Sequence, residues 1–260
     1  MITDLEIHAG AGWVLARVAP GLAASLASRF DQLIFSEDVQ VADVSDQTSE
    51  IRVVGGRAAE VIAEALALDA EHLGRLVEPA HVECAGGFVA RSGGAPLPAY
   101  AIVVPVDRLQ IVIASLEASG AVEISPALDD AMRVEAGRPA FGVDMTSDTI
   151  PLEAGLLERA ISTTKGCYVG QEIVVRILHR GGGRVARRVV TLALDETPEL
   201  PAAGAALLTG GREVGMLTTV VRSPLRGSPI ALGVVQRDFA VLDQQLDAGA
   251  ISARVTGFAQ

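Results

Sequence analysis

The run TTKGCYVGQE, Thr163 to Glu172, puts an ammonium beside a thiol. Of the 21 lysine and arginine residues only Lys165 is a lysine, and it lies two positions from Cys167, one of only two cysteines. A neighbouring cation stabilises the thiolate, the form of cysteine that attacks electrophiles or binds metal. Lysine offers a compact, strongly hydrated point charge where arginine offers a planar fork, so a single lysine among arginines marks a position where a guanidinium would not serve. Gly166 and Gly170 bracket the cysteine and permit tight turns and close approach of a ligand. Tyr168 completes the loop. The segment EIVVRILHR that follows has the β-branched content of a strand, yet Ile173, Val174, Ile177 and Leu178 fall on one helical face. A helix is predicted, started at Gly170 and stopped by Gly181-Gly182-Gly183. Its N-terminal dipole adds to the pull on negative charge at Cys167 and favours Glu172, beside Gln171, in the first turn. Together these features describe a polarised thiol on a loop ahead of a helix. The competing reading is a small buried hydrophobe, with lysine scarce through arginine bias alone.

Other groups with chemical potential are fewer. Arg176, Arg180, Arg184, Arg187 and Arg188 form the densest basic cluster. They read either as an anion site or as a solvated or interdomain face, the latter being preferred for Arg187 and Arg188. His179 lacks a second histidine at ligand spacing and reads as a surface loop residue, so no metal site is expected. Cys84 reads as a core filler, and Trp13, in GWVLARV, as a packed strand residue.

The elements that must position the motif follow from composition and pattern. The 260 residues are 50% hydrophobic and 3% aromatic, enough for a sizeable core built from small side chains. A net charge of −11 argues against nucleic acid and anionic membranes as partners. No apolar run has the length of a spanning helix, MITDLEIHAG lacks the features of a signal peptide, and the two cysteines form no C-x-x-C pair, so a reducing cytoplasm is the expected compartment. EIRVVG, HVECAGGFVARSG and AYAIVVP are predicted strands, and RAAEVIAEALAL is a predicted helix. DRLQIVIASLEASG is a predicted helix capped by Asp107 and ended by Gly120. AVEIS is predicted as a short strand, followed by Ser125-Pro126 as N-cap and N1 of PALDDAMRVEAG. Pro151 is predicted to open a helix over PLEAGLLERAI. After the glycine triplet the pattern becomes strands with Gly/Pro/Ser turns, Gly210-Gly211 among them, which predicts a small antiparallel barrel or sandwich. The fold class is therefore α+β, with a boundary near residue 184: a region 1–183 with α/β character and mixed or antiparallel sheets, then a C-terminal β-barrel domain, 184–260.

KGCYVGQE resembles the signature of the YgfZ-type folate-binding proteins, relatives of the glycine-cleavage T-protein (aminomethyltransferase). AMRVEAGRPAFGVDMTSDTIPLEAGLLERAIS is similar to the stretch preceding that signature, FSEDVQVADVS to the central segment, and GRVARRVVTLAL, LPAAGAALLTGGREVGMLTTVVRSP and IALGVVQRD to the C-terminal barrel. The resemblance implies a T-protein-like fold, tetrahydrofolate or a one-carbon derivative as ligand, and support of iron–sulfur cluster assembly or repair, with iron–sulfur enzymes or assembly proteins as partners. It implies Cys167 and Lys165 as the reactive pair, supported by Gly166, Tyr168, Gly170, Gln171 and Glu172. It also implies folate contacts from Asp4, Tyr100, Arg133 and Glu135, the last two alternatively forming a structural ion pair at a helix end. An aminomethyltransferase is the second function the resemblance implies. Two departures weigh against it: Thr3 stands where the T-protein has a second acid beside Asp4, and PLPAY stands where it has an acid-rich strand entry. A third possibility is a non-catalytic module that binds a protein partner. In the family a segment similar to MITDLEIH follows several tens of residues, so Met1 is expected to be an internal methionine and the ITDLEIH strand to have an unpaired edge with exposed apolar surface.

Overall fold

The computed structural model describes residues 1–260. The chain divides into two compact units, Asp4–Ile124 and a second made of Met1–Thr3 with Ser125–Gln260. Both are built on antiparallel sheets. No helix is long and apolar enough to cross a membrane.

The first unit opens with a hairpin of β1 (Leu5–Gly10) and β2 (Trp13–Val18), which pair only with each other. Then come α1 (Ala23–Asp31), β3 (Thr48–Val54), α2 (Ala58–Leu66), α3 (Ala70–Arg75), β4 (His81–Cys84), β5 (Gly87–Ser92), β6 (Ala99–Pro105) and α4 (Leu109–Ala118). The four later strands form a sheet in the order β3-β6-β5-β4. Because side chains alternate across a strand, β6 serves two cores. Tyr100, Ile102 and Val104 join Val89 and the buried helix residues Ile62, Leu73, Val112 and Leu116 on one face. Val103 joins Phe88 and Ala90 on the other, where Trp13 and Leu15 of the hairpin cover them. The alternation also puts Cys84 beside the helical core.

The hairpin is held by charge as well as by rings. Arg17 lies between Glu6 and Glu50, at 2.5 Å from the latter. His8 is sealed beside Phe88 and His81, its ring nitrogens without hydrogen-bond partners and the nearest acid, Glu6, 3.9 Å away. Trp13 lies flat across Gly10, where any Cβ would sit inside the indole. The outer face of the hairpin leaves Ile7 and Val14 exposed, at 57% and 70%.

The second unit contains α5 (Pro126–Glu135), α6 (Leu157–Ala160), α7 (Gln171–His179), β7 (Arg187–Leu194), β8 (Ala206–Thr209), β9 (Arg212–Arg222), β10 (Pro229–Gln236), β11 (Gln245–Ala248) and β12 (Ile251–Phe258). The six strands close into a barrel in the order β10-β7-β12-β11-β8-β9. Its interior is filled by Leu192, Leu207, Val214, Leu217, Val235, Leu246 and Val255. A second core lies outside the barrel wall, where Val134 of α5, Met145, Ala154 and Leu156 pack on Val189, Ile230 and Leu232. Gly210 and Gly211 both have positive φ, as a tight hairpin of the primed type requires.

Several sequence expectations hold in detail. Ser125 caps α5, its hydroxyl accepting from the Leu128 N–H at 3.3 Å, with Pro126 at N1; such a cap contributes about 1 kcal/mol. The EIVVRILHR segment is the helix α7, and its N-cap is Gly170 at φ 88°. Others need correction. Asp107 does not cap α4; a 3-10 turn, Val106–Arg108, precedes the helix and Arg108 occupies the cap position. AVEIS forms no strand, because it pairs with no neighbouring strand before the Ser125 cap. PLEAGLLERAI is helical only over Leu157–Ala160. The helix is blocked at Gly155, which adopts φ 73° and lies so close to the Ala259 carbonyl that a Cβ would overlap it.

That close approach gives a stability prediction. G155A is expected to cost about 2–4 kcal/mol, from left-handed strain plus steric overlap. G142A, at φ 85° with open space around it, is expected to cost only about 1–2 kcal/mol, from strain alone. Urea denaturation of both variants measures the difference; equal losses would contradict the packing argument.

Candidate functional site

The second unit places Arg133 and Glu135 at the end of α5, against β9 and the turn that follows it. Their partners differ. Arg133 donates from Nη1 to Asp144 Oδ2 at 2.5 Å and to the Arg138 carbonyl at 2.6 Å, and from Nε to Asp130 at 2.9 Å. Asp144 is fully buried as a side chain, and Arg133 is 15% exposed. The carboxylate is saturated: Oδ2 also accepts the Ala140 N–H at 2.9 Å, and Oδ1 accepts both the Thr218 and Thr219 hydroxyls, at 2.5 and 2.7 Å.

Two consecutive strand residues normally face opposite sides. Here β9 carries a bulge: Thr219 pairs with Leu232 and Leu217 with Gly233, so Thr218 is the extra residue. A bulge re-aims side chains in this way, and it turns both hydroxyls onto one oxygen. The alternative reading, a structural ion pair at the helix end, holds for Arg133 but not with Glu135 as its partner. Arg133 pairs with Asp144 and Asp130 instead, because the bulged strand supplies a buried acid with matched donors.

Glu135 reaches the β9–β10 turn. Its Oε1 accepts the Ser223 hydroxyl and the Leu225 N–H, the latter at 3.1 Å. Its Oε2 is buried and has no hydrogen-bond partner. A buried carboxylate oxygen without a donor is costly, on the order of 1–3 kcal/mol, and such atoms in a folded protein call for a reason.

The KGCYVGQE loop is open. Cys167 is exposed. The Lys165 ammonium sits 4.6 Å from the centroid of the Tyr168 ring, a cation–π arrangement. Two further contacts shape the loop: the Lys165 N–H donates to Ser162 Oγ at 3.1 Å, and the Tyr168 N–H reaches Gln171 Oε1 at 3.4 Å. Gln171 thus reaches back over the start of α7 much as a capping-box residue does, while Glu172 lies in its first turn. Gly166 and Gly170 have open space around them. The buried-hydrophobe reading fits Cys84 instead, whose thiol is pushed up by burial.

The remaining candidates are placed as follows. Tyr100 is 1% exposed, and its hydroxyl donates to the Leu73 carbonyl at 3.1 Å. These contacts make it a core residue of the first unit, in contrast to the folate contact that the resemblance implied. Asp4 leads into β1, on the side of the sheet opposite Tyr100. In the arginine cluster, Arg187 pairs with Glu153 at 3.2 Å and Arg188 stacks on Phe258, while Arg176, Arg180 and Arg184 are exposed. No group of three or more metal-ligating side chains is present. Asp144, Thr218 and Ser223 escaped sequence reasoning. The only signal for them was the run of polar residues in strand and turn segments, VDMTSD and MLTTVVRSP.

Comparison with known proteins agrees with this architecture. Residues 187–257 match the family model of the glycine cleavage T-protein C-terminal barrel domain. An aminomethyltransferase of Listeria monocytogenes is 25% identical over 231 residues, 87% of this chain and 63% of that protein. An aminomethyltransferase of Cutibacterium acnes is 29% identical over 224 residues, 80% of this chain and 58% of its own length. The crystal structure of the glycine cleavage system aminomethyltransferase T from Bartonella henselae superposes with a TM-score of 0.85 at 24% identity, covering 99% of this chain and 71% of that one. The chain is thus a relative of the glycine-cleavage T-protein, with its fold and its C-terminal barrel, and spans about six-tenths of the length of these curated relatives.

The two thiols are predicted to react very differently. A disulfide reagent at pH 8 should label Cys167 rapidly and Cys84 at least about tenfold more slowly, given burial and a raised thiol pKa. C167A should abolish the fast phase; fast labelling that persists in C167A would contradict the placement.

Proposed function

We propose that the chain binds tetrahydrofolate or a one-carbon derivative and, through the exposed thiol of Cys167, supports iron–sulfur cluster assembly or repair in other enzymes, as a cytoplasmic protein of the YgfZ type. The observation that carries the folate reading is Glu135 Oε2, buried and without a hydrogen-bond donor. The 2-amino-4-oxo edge of a pterin presents adjacent N–H donors, and a carboxylate receives them as charge-assisted bonds. Arg133 stands beside it as a positioning residue, committed to Asp144 and Asp130. Asp4 remains a candidate contact, whereas the sealed ring of Tyr100 has no free polar group to offer. The iron–sulfur role is supported by the KGCYVGQE run and by the solvent-exposed position of its cysteine. Lys165 and Tyr168 shape the loop around the thiol.

A second reading is favoured by the relatives, which bear the name aminomethyltransferase. Transfer of an aminomethyl carbon to folate resembles general acid–base work near the folate amine, and Thr3 in place of an acid next to Asp4 weakens it. Formation of methylene-folate from an aminomethyl–lipoyl carrier would favour this second reading; absence of turnover by folate-bound protein would favour the first.

Titration of the purified chain with tetrahydrofolate under anaerobic, reducing conditions tests the shared premise. E135Q keeps an acceptor for Ser223 and places an NH2 where Oε2 stood. It is expected to fold normally and to bind roughly ten- to hundredfold more weakly, the loss of a charge-assisted pair. Equal affinity would overturn the role of Glu135. In cells lacking the protein, C167A is expected not to restore iron–sulfur enzyme activity; full restoration would remove the thiol from the function.

A further inference from the structure

We infer that Ser223 is a positioning residue for ligand recognition: it occupies Oε1 of the Glu135 carboxylate, so that Oε2 is the oxygen left to accept from a ligand. The inference rests on the reading that Glu135 receives the N–H edge of a reduced folate, and it names what sets the orientation of that carboxylate.

Ser223 is 0% exposed and follows the last residue of β9, Arg222, at the start of the turn to β10. The turn itself is tied at several points. The Ser223 N–H donates to the Ser228 carbonyl, and the Ser223 carbonyl accepts from the Gly227 N–H, both at 2.9 Å. Gly227 adopts φ 69°, which the turn requires. The hydroxyl is constrained in the same way. Its oxygen accepts the Arg226 N–H at 2.9 Å, so its single proton is free to be donated, and it goes to Glu135 Oε1. The Leu225 N–H donates to that same oxygen. Two donors from one rigid turn converge on Oε1 and none reaches Oε2. One oxygen of Glu135 therefore organises the turn, and the other, buried and without a donor, is left as an acceptor of fixed direction. Preorganisation of this kind raises affinity and selectivity by removing the reorientation that binding would otherwise require.

Without the Ser223 hydroxyl, the Arg226 N–H loses its acceptor and Oε1 keeps one donor. The carboxylate is then free to turn toward the turn amides, and Oε2 ceases to be a dedicated acceptor. S223A is expected to bind 5-formyltetrahydrofolate roughly tenfold more weakly. It is also expected to lose much of the discrimination between that ligand and its 2-desamino analogue, which lacks one of the donors.

The test measures both ligands by calorimetry on wild type, S223A, E135Q and the double variant, with thermal unfolding as the check on folding. S223T, which keeps the hydroxyl, serves should S223A fail to fold, and is expected to retain discrimination. If Ser223 acts through Glu135, S223A has little further effect in the E135Q background. If S223A weakens binding by the same factor in both backgrounds, or leaves discrimination intact, the positioning role is overturned while the folate reading stands. If wild type binds neither ligand, the folate reading falls and the role of Ser223 falls with it.

Discussion

The second unit depends on the burial of one ion pair, Arg133 with Asp144. Removing two charges from water is expensive, and their attraction compensates only when the remaining valences are satisfied. Every partner needed for this is present. The Arg138 carbonyl, Asp130 and Thr219 take the other guanidinium donors, and the Ala140 amide with Thr218 and Thr219 fills the carboxylate. The pair connects α5 and the loop that follows it, around residue 140, to the bulged strand β9, more than seventy residues further on. Apolar packing of Val134, Met145 and Leu232 lies directly beside it. With the end of α5 fixed in this way, Glu135, two residues beyond Arg133, lies against the β9–β10 turn, whose Ser223 hydroxyl and Leu225 N–H then hold its carboxylate.

The first unit solves a different problem. Its sheet has two faces, each needing cover, and β6 supplies both from one alternating run. Helices cover one face and a two-stranded hairpin the other. The hairpin is too small to stand alone in water, and its Arg17–Glu50 contact and Trp13 packing hold it down. Ile7 and Val14 remain exposed on its outer side.

Periodicity made much of this legible. The strands β3 to β6, the helices α2 and α7 and the barrel strands β7, β9, β10 and β12 stand where alternation, helical spacing and Gly/Pro punctuation put them. The failures share a cause: backbone geometry imposed from elsewhere in the fold. Pro151 signals a helix, but Gly155 takes a positive φ beside the Ala259 carbonyl, where no other residue would fit. AVEIS has strand composition and no strand to pair with. At the candidate site, the MRVEAG segment left folate contacts and a structural ion pair as alternatives, and the pairs that form, Arg133 with Asp144 and Asp130, lie outside the segment. Neither the bulge at Thr218 nor the turn at Ser223 leaves a mark in a local window, since each depends on register with β10 and on contact with α5. The lysine beside Cys167 was legible as a rarity; that its ammonium lies over Tyr168 depends on the loop's path.

The most direct measurement is a double-mutant cycle on Arg133 and Asp144, using R133M, D144N and the double variant in urea denaturation. Each single variant strands one buried polar partner, and the double variant strands neither charge. The account predicts that the double variant is at least about 1.5 kcal/mol more stable than the sum of the single losses implies. Additivity to within about 0.5 kcal/mol would contradict it, because the two side chains would then not be acting as a buried unit.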